Sequence, residues 1–358
     1  MWRVKADATP WLNVRAGRGA SFAKVGQFTP SQIIDVTAVQ DGWATVMMFP
    51  PSVALYVSAA YIEQVEDDTT QPVLASATLG MHIMPNNDQT RTLKLIADAY
   101  AQGTPVPCIL LGIVPGMSQM TCQDIKAVSP NTTIIARYYT GKNYSRDWAS
   151  ATEQDGAAYF NSMRHHISDD VKRYASYIIP MNVNEPGDAF GSEAGHNRWW
   201  NGMLDAANEY GVDLAMFTWA TGNPKDVEYW KRTDTHDLLR RAKREGHCVA
   251  LHEYGYHGDF SDIWHSQRHD LIYERLPLDL HDITIYVTET GESFETNKPE
   301  PITAQHFTSY VWAQHRSFAK RKNLRGMLWS WGDSGGWSRD RLEPVEASYM
   351  EYLKATKR

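Results

Sequence analysis

From residue 73 onward, short apolar runs rich in β-branched residues alternate with longer amphipathic ones, and a strand–helix repeat is the arrangement that satisfies both periods. The short runs fall at 79–84, 106–113, 133–138, 178–184, 214–219, 248–254, 283–289 and 327–331. They are too short for helices and mostly bounded by turn residues, the pattern of strands covered on both faces. Helical segments are expected at 92–102, 157–177, 198–210, 237–245 and 304–322, three of them followed at once by Gly103, Gly211 and Gly246 as C-terminal caps. Eight strands in alternation with helices predict an α/β chain whose residues 73–358 form a (β/α)8 TIM barrel. A doubly wound open sheet would want a Gly-rich phosphate loop after its first strand, and His82-Ile83-Met84-Pro85-Asn86-Asn87 is not one.

A barrel of this kind assembles its chemistry from the C-terminal ends of several strands. The residues expected there are His82, Arg137 with Tyr138, Asn184 with Glu185, Trp219, His252 with Glu253 and Tyr254, Glu289, and Trp329 with Trp331. Two segments stand out, Asn184-Glu185-Pro186 and Thr288-Glu289-Thr290-Gly291, each placing one glutamate where a strand gives way to a loop. They lie far enough apart for two or three strand–helix units between them, so the two carboxylates can face each other across the barrel mouth. Two facing carboxylates are the equipment for cleaving a glycosidic bond. Plainer readings stand beside this one. Asn-Glu-Pro also starts helices, with Asn184 as cap and Pro186 in the first turn. Glu253 reads better as a salt-bridged rim residue than as a third carboxylate of the cleft. His82 is either a contact to a sugar hydroxyl or a structural histidine. His165-His166 and Trp199-Trp200 read as helix positions, whereas the loops at 187–191 and 332–337 are expected to shape the cleft.

The arrangement resembles clan A of the glycoside hydrolases, retaining (β/α)8 enzymes with an Asn-Glu pair after strand four and a second Glu after strand seven. The resemblance spans residues 73–358. His252-Glu253-Tyr254 after strand six is similar to the His-x-Tyr pattern of glycoside hydrolase family 5, and Trp329 or Trp331 stands where the clan keeps a tryptophan after strand eight. The clan's arginine is expected near the end of strand two, whereas Arg137 follows the third predicted strand. The resemblance implies Glu289 as nucleophile and Glu185 as acid/base, with Glu185 held protonated near neutral pH by burial and the neighbouring carboxylate. It further implies that Asn184 bonds the sugar 2-hydroxyl, that Tyr254 orients Glu289, that Arg137 keeps Glu289 ionised, and that Trp331 or Trp329 underlies the sugar in subsite −1. His82, Trp219 and His252 complete the expected substrate-binding set. No metal and no organic cofactor is expected.

Residues 1–65 are of another kind: short β-rich runs separated by turn signals at Gly17, Gly19 and Asp41-Gly42, with no helical period. The segments Leu12-Asn13-Val14-Arg15-Ala16-Gly17-Arg18-Gly19, Val25-Gly26, Asp41-Gly42-Trp43 and Tyr56-Val57-Ser58-Ala59-Ala60-Tyr61 resemble the bacterial SH3-like domain. Such domains usually carry Gly-Trp-Val before the last strand, where this chain has Leu55-Tyr56-Val57. The resemblance implies a cell-wall peptide or polysaccharide ligand; a spacer that packs on the larger domain is the alternative. Acidic, polar residues 66–72, ending in Pro72, read as a linker.

A net charge of −7 and a pI near 6.0 give no electrostatic footprint for nucleic acid, and no Lys/Arg block points to an anionic membrane surface. No membrane span is expected, and Met1-Trp2-Arg3-Val4-Lys5-Ala6-Asp7 lacks the apolar core of a signal peptide, although the SH3-like module points to an extracellular or cell-surface setting. Cys108, Cys122 and Cys248 are too few and scattered for a disulfide framework or zinc site. The 13 tryptophans and 18 tyrosines suit sugar stacking as well as packing. The expectation is therefore a retaining glycosidase acting on a β-linked oligo- or polysaccharide. A barrel that binds glycan without cleaving it, and a peptidoglycan-lytic glycosidase targeted by the SH3-like module, are the alternatives. A metal-dependent barrel hydrolase is disfavoured, because His82 and His252 are too few.

Overall fold

A computed structural model describes residues 2–5, 7–8, 11–28, 33–34, 36–46, 55–64, 76–139, 147–185, 187, 189–255, 264–291, 302–332 and 341–357. Pro186, Asp188, the linker at 66–72 and the loop at 333–337 lie outside these residues. The chain divides into two compact units, Met1–Leu74 and Ala75–Arg358.

In the larger unit the eight predicted runs are eight parallel strands: Leu79–Ile83, Cys108–Ile113, Thr133–Tyr138, Tyr177–Ile179, Ala215–Trp219, Cys248–Tyr254, Ile285–Gly291 and Leu324–Trp331. Each pairs with its sequence neighbour, and the eighth returns to the first through Gly326↔Leu79 and Met327↔Gly80. Between the fourth and fifth strands the ladder shrinks to one parallel bridge, Ile178↔Leu214, supported by the Ile178 amide on the Asp213 carbonyl at 2.8 Å. The sheet thereby closes into a barrel with helices outside, and seven of the strands are buried along nearly their whole length. Burial on both faces is why these runs lack alternation.

The fourth strand ends sooner than its apolar run. Pro180 has no N–H to continue the ladder, and the Val183 amide turns back to the Pro180 carbonyl at 3.0 Å. Asn184 and Glu185 therefore stand on a connection beyond the strand rather than at its last rung. A second difference concerns 157–177, expected as one helix. Helix Glu153–Met163 passes through a 3-10 turn, Arg164–His166, before a new helix, Asp169–Tyr174, starts where the Ser168 hydroxyl accepts from the Val171 amide. His165 and His166 thus sit in a turn, not on a helix. Helix Glu193–Tyr210 ends at Gly211 with φ 80°, the left-handed cap foreseen for it. Helices Glu153–Met163 and Glu193–Tyr210 touch backbone to backbone at Gly156 and Gly202, where any Cβ would run into the opposing carbonyls of Trp199 and Glu153.

The described residues of the smaller unit are strands and turns, with one 3-10 turn at Ala59–Tyr61. A five-stranded antiparallel sheet contains Lys24–Phe28, Leu12–Arg15, Leu55–Ser58, Trp43–Val46 and Val36–Gln40 in that order, and a three-stranded one has Trp2–Val4 at its centre. Its core is small, formed by Val4, Ala8, Leu12, Val14, Ala44, Val46, Val57 and Ile62. Trp11, Phe22 and Tyr61 remain between 44% and 49% exposed.

Candidate active site

Glu289 lies in the seventh strand, in register with His252 of the sixth, and is almost wholly buried. Its two oxygens have different partners. Arg137, from the third strand, forms a buried ion pair with Oε1, and the Tyr254 hydroxyl donates to Oε2 at 2.8 Å. Burial pushes the Glu289 carboxyl up, but His252 and Arg137 beside it outweigh that and hold the group below the usual carboxylate range. Arg137 is on the third strand, as the alternation of the chain places it.

Glu185 reaches the same point from the fourth connection. Its side chain is 38% exposed, and its Oε1 lies 3.0 Å from His252 Nδ1, which is itself 3.5 Å from Glu289 Oε2. The three donor atoms of Glu185, His252 and Glu289 all fall within 4.8 Å of one another, a spacing that a metal ion could also bridge. The backbone that delivers Glu185 is unusual. Asn182, Glu185, Phe217 and Thr218 all take positive φ, at 60°, 50°, 76° and 47°. The Glu185 amide bonds the Thr218 carbonyl at 3.0 Å, and the Thr218 hydroxyl bonds the Val183 carbonyl, so the two strained segments hold each other. Non-glycine residues persist in this region only where the surroundings over-determine them, and such positions cluster at functional sites.

Glu185 does not carry the raised pKa expected from sequence. Burial acts upward, yet the hydrogen bond and charge of His252, with Arg137 behind them, lower it below the ordinary carboxyl value. Two ionised carboxylates therefore share the site with Arg137.

His82 is fully buried, with Nε2 2.8 Å from the Tyr139 hydroxyl and its ring edge-on to Trp329 at 4.5 Å. Burial drives its pKa down to about 3, so the imidazole is neutral. Tyr139 escaped the sequence reading, which stopped at Tyr138. The Arg137 guanidinium lies 4.3 Å from the Tyr139 ring centre, while Tyr138 turns outward and accepts from the Ser168 amide at 3.1 Å. The two-residue period counted from Arg137 was the available signal. Asn184 has its Oδ1 buried without a partner among the described residues.

Two tryptophans expected in the cleft are elsewhere. Trp219 shares its phase with Phe217 and stacks on His196 at 4.6 Å, in the layer between the fifth strand and helix Glu193–Tyr210. Trp331 packs 5.1 Å from Tyr349 of helix Glu346–Ala355. Both are essentially unexposed. The eighth strand shifts register between Leu328 and Trp331, which breaks its alternation and leaves half-buried Trp329 beside His82. Glu253 is neither on the rim nor in the cleft. It is fully buried behind the sixth strand, accepting from the His269 amide and facing His269 Nδ1, each at 2.8 Å. Trp199 and Trp200 are likewise fully buried. A cavity of about 520 Å³ opens at the other end of the barrel, beside Thr133, Thr284 and Arg325 where strands begin. No carboxylate is among its described lining residues, and Glu185, His252 and Glu289 converge at the opposite mouth.

No protein-family model matches this chain, and no curated protein matches its sequence. Among solved structures it is similar to an endoglucanase, Cel5A, from Pseudomonas stutzeri, at 14% identity and TM-score 0.45 over 77% of this chain and 94% of that one. A β-mannanase from Thermomonospora fusca in complex with mannohexaose gives 14% and 0.41 over 74% and 82%. A family 39 glycoside hydrolase from Bacteroides cellulosilyticus WH2 gives 11% and 0.49 over 97% and 76%. Likeness at these values carries no argument about activity, which rests on the site itself.

Proposed function

We propose that the chain is a retaining glycoside hydrolase that cleaves a β-linked oligo- or polysaccharide by double displacement. One observation carries the reading: carboxylate oxygens of Glu185 and Glu289 face each other within 4.8 Å at the barrel mouth, with His252 between them. Retaining enzymes keep their carboxyl groups about 5–5.5 Å apart so that one reaches the anomeric carbon, whereas inverting enzymes leave about 6.5–9.5 Å for a water. Glu289, kept ionised by Arg137 and aimed by Tyr254, suits the nucleophile. Glu185, more exposed and at the cleft's edge, suits the acid/base that meets the leaving oxygen.

The acid/base needs a proton when the glycosidic oxygen departs, and a proton on the Glu185–His252 contact can sit on either partner. A bound sugar that excludes water raises the cost of the separated charges and favours the neutral pair, with the proton on Glu185. Once Glu289 is esterified its negative charge is gone, and Glu185 takes a proton from the attacking water. The unpartnered Asn184 Oδ1 is proposed to accept from the sugar 2-hydroxyl, and Trp329 to underlie the ring in subsite −1. His82 and Tyr139 would close the floor beside it. The resemblance to clan A, and the His-x-Tyr of family 5, support the same assignment.

We further propose that residues 1–65 form an SH3-like module whose exposed Trp11, Phe22 and Tyr61 contribute to a cell-wall or polysaccharide surface contact. The function is tested by a screen of aryl β-glycosides and soluble β-glycans with wild type and Glu289→Gln side by side. Turnover by the wild type alone, with the β-anomer released first in the NMR spectrum, is the expected result. No turnover by either protein, together with glycan binding by both, would favour a non-catalytic binder.

A further inference from the structure

His252 Nδ1 points at two carboxylate oxygens, Glu185 Oε1 at 3.0 Å and Glu289 Oε2 at 3.5 Å. In the neutral tautomer protonated on Nε2, all three are acceptors converging on one point. Such a convergence is favourable only when something positive lies within it, either a proton on Nδ1 or a cation. We propose that the cleft, when free of substrate, binds a single divalent transition-metal ion, Zn²⁺ in preference to Mg²⁺, through Glu185, His252 and Glu289.

The geometry fits such an ion. Zn–N and Zn–O bonds of about 2.0–2.2 Å in a tetrahedron put neighbouring ligand atoms about 3.3–3.6 Å apart. One of the three edges, 3.5 Å, falls within that length and a second, 3.0 Å, lies just below it, while the third is no longer than 4.8 Å. Glu185 is partly exposed, so it can supply the remaining closure. The fourth position would face the cleft, open to water. One imidazole with two carboxylates is a donor set that suits zinc and its transition-metal neighbours, whereas Mg²⁺ prefers all-oxygen octahedra with several waters. The supporting groups are present as well. Arg137 takes the other oxygen of Glu289, and the Tyr254 hydroxyl donates to the oxygen that would bind the ion, so this ligand is fixed before the ion arrives. With Arg137 counted, the free site carries one net negative charge when His252 is neutral, and the ion reverses it. An ion here occupies both carboxylates that the proposed reaction needs, so it competes with substrate. That competition rests on the double-displacement reading, but the binding does not.

Calorimetry with ZnCl₂ alone on the chelator-treated full chain should show one ion per chain. Glu185→Gln and, separately, His252→Asn should each weaken binding tenfold or more, with unchanged far-UV circular dichroism establishing that both variants fold. In the wild type Zn²⁺ should raise the apparent KM of an aryl glycoside without changing kcat, and chelator should reverse this. Absence of binding, or binding unchanged in both variants, would overturn the ion site. Binding as expected in a chain that turns over only when Zn²⁺ is restored would keep the ion site and overturn the metal-free double displacement.

Discussion

Replacing Arg137 with methionine keeps most of its volume and removes its charge from a site where Glu289 has almost no water. Both side chains of the pair are 7% exposed. Breaking one partner of a buried pair costs about 3–5 kcal/mol, because the other charge is left uncompensated. Part of that loss is limited here, since the Tyr254 hydroxyl and His252 still face Glu289. The lower end, about 3 kcal/mol at pH 7, is therefore expected. In the wild type the Glu289 carboxyl is held below its unfolded value, so its contribution is present above the unfolded pKa and is lost as pH falls through the folded one. Burial is already the largest influence on this carboxyl, and without Arg137 mainly His252 opposes it, so the carboxyl rises and Arg137→Met should lose less stability as pH falls from 7 towards 4. The gap between the two proteins should therefore narrow as the pH approaches 4. Urea unfolding followed by tryptophan fluorescence at both pH values measures it, and Arg137→Met/Glu289→Gln should recover most of the loss at pH 7. A gap that ignores pH, or a double variant no more stable than Arg137→Met, would refute the claim that the buried charge of Glu289 is what Arg137 compensates.

Tyr254→Phe removes one hydrogen bond to a charged group, worth about 1.5–3 kcal/mol, so kcat/KM should fall roughly tenfold to a hundredfold with the fold intact. Because His252 lowers the Glu185 carboxyl, a His252→Asn variant should hold that proton to higher pH. The alkaline limb of its kcat/KM profile should move upward, and an unmoved limb would refute the role of His252. Gly202→Ala places a methyl against the Glu153 carbonyl and should destabilise by about 2 kcal/mol in thermal unfolding, despite roughly 1 kcal/mol gained in helix propensity.

The alternation of strand and helix was legible in the chain because a strand buried on both faces must be apolar throughout and short. That single constraint located all eight barrel strands, and with them Arg137, Glu185, His252, Tyr254 and Glu289 near one rim. What the linear pattern left open was the direction of individual side chains where strands become irregular. Trp219, Trp329 and Trp331 look alike in sequence, yet a register shift and the stacking of Trp219 on His196 leave Trp329 alone beside His82. Glu253 looked like a rim carboxylate, and its burial became visible only when His269, from a later helix, came to lie behind the sixth strand. The ionisation of Glu185 was likewise a tertiary matter. Its neighbours in sequence say nothing of His252, whose contact with it depends on the close of the barrel and on positive φ at Glu185 itself. Residue type and period are local properties that the chain carries along its length, whereas a carboxylate's charge and an aromatic ring's exposure depend on which distant groups share its few ångströms of space.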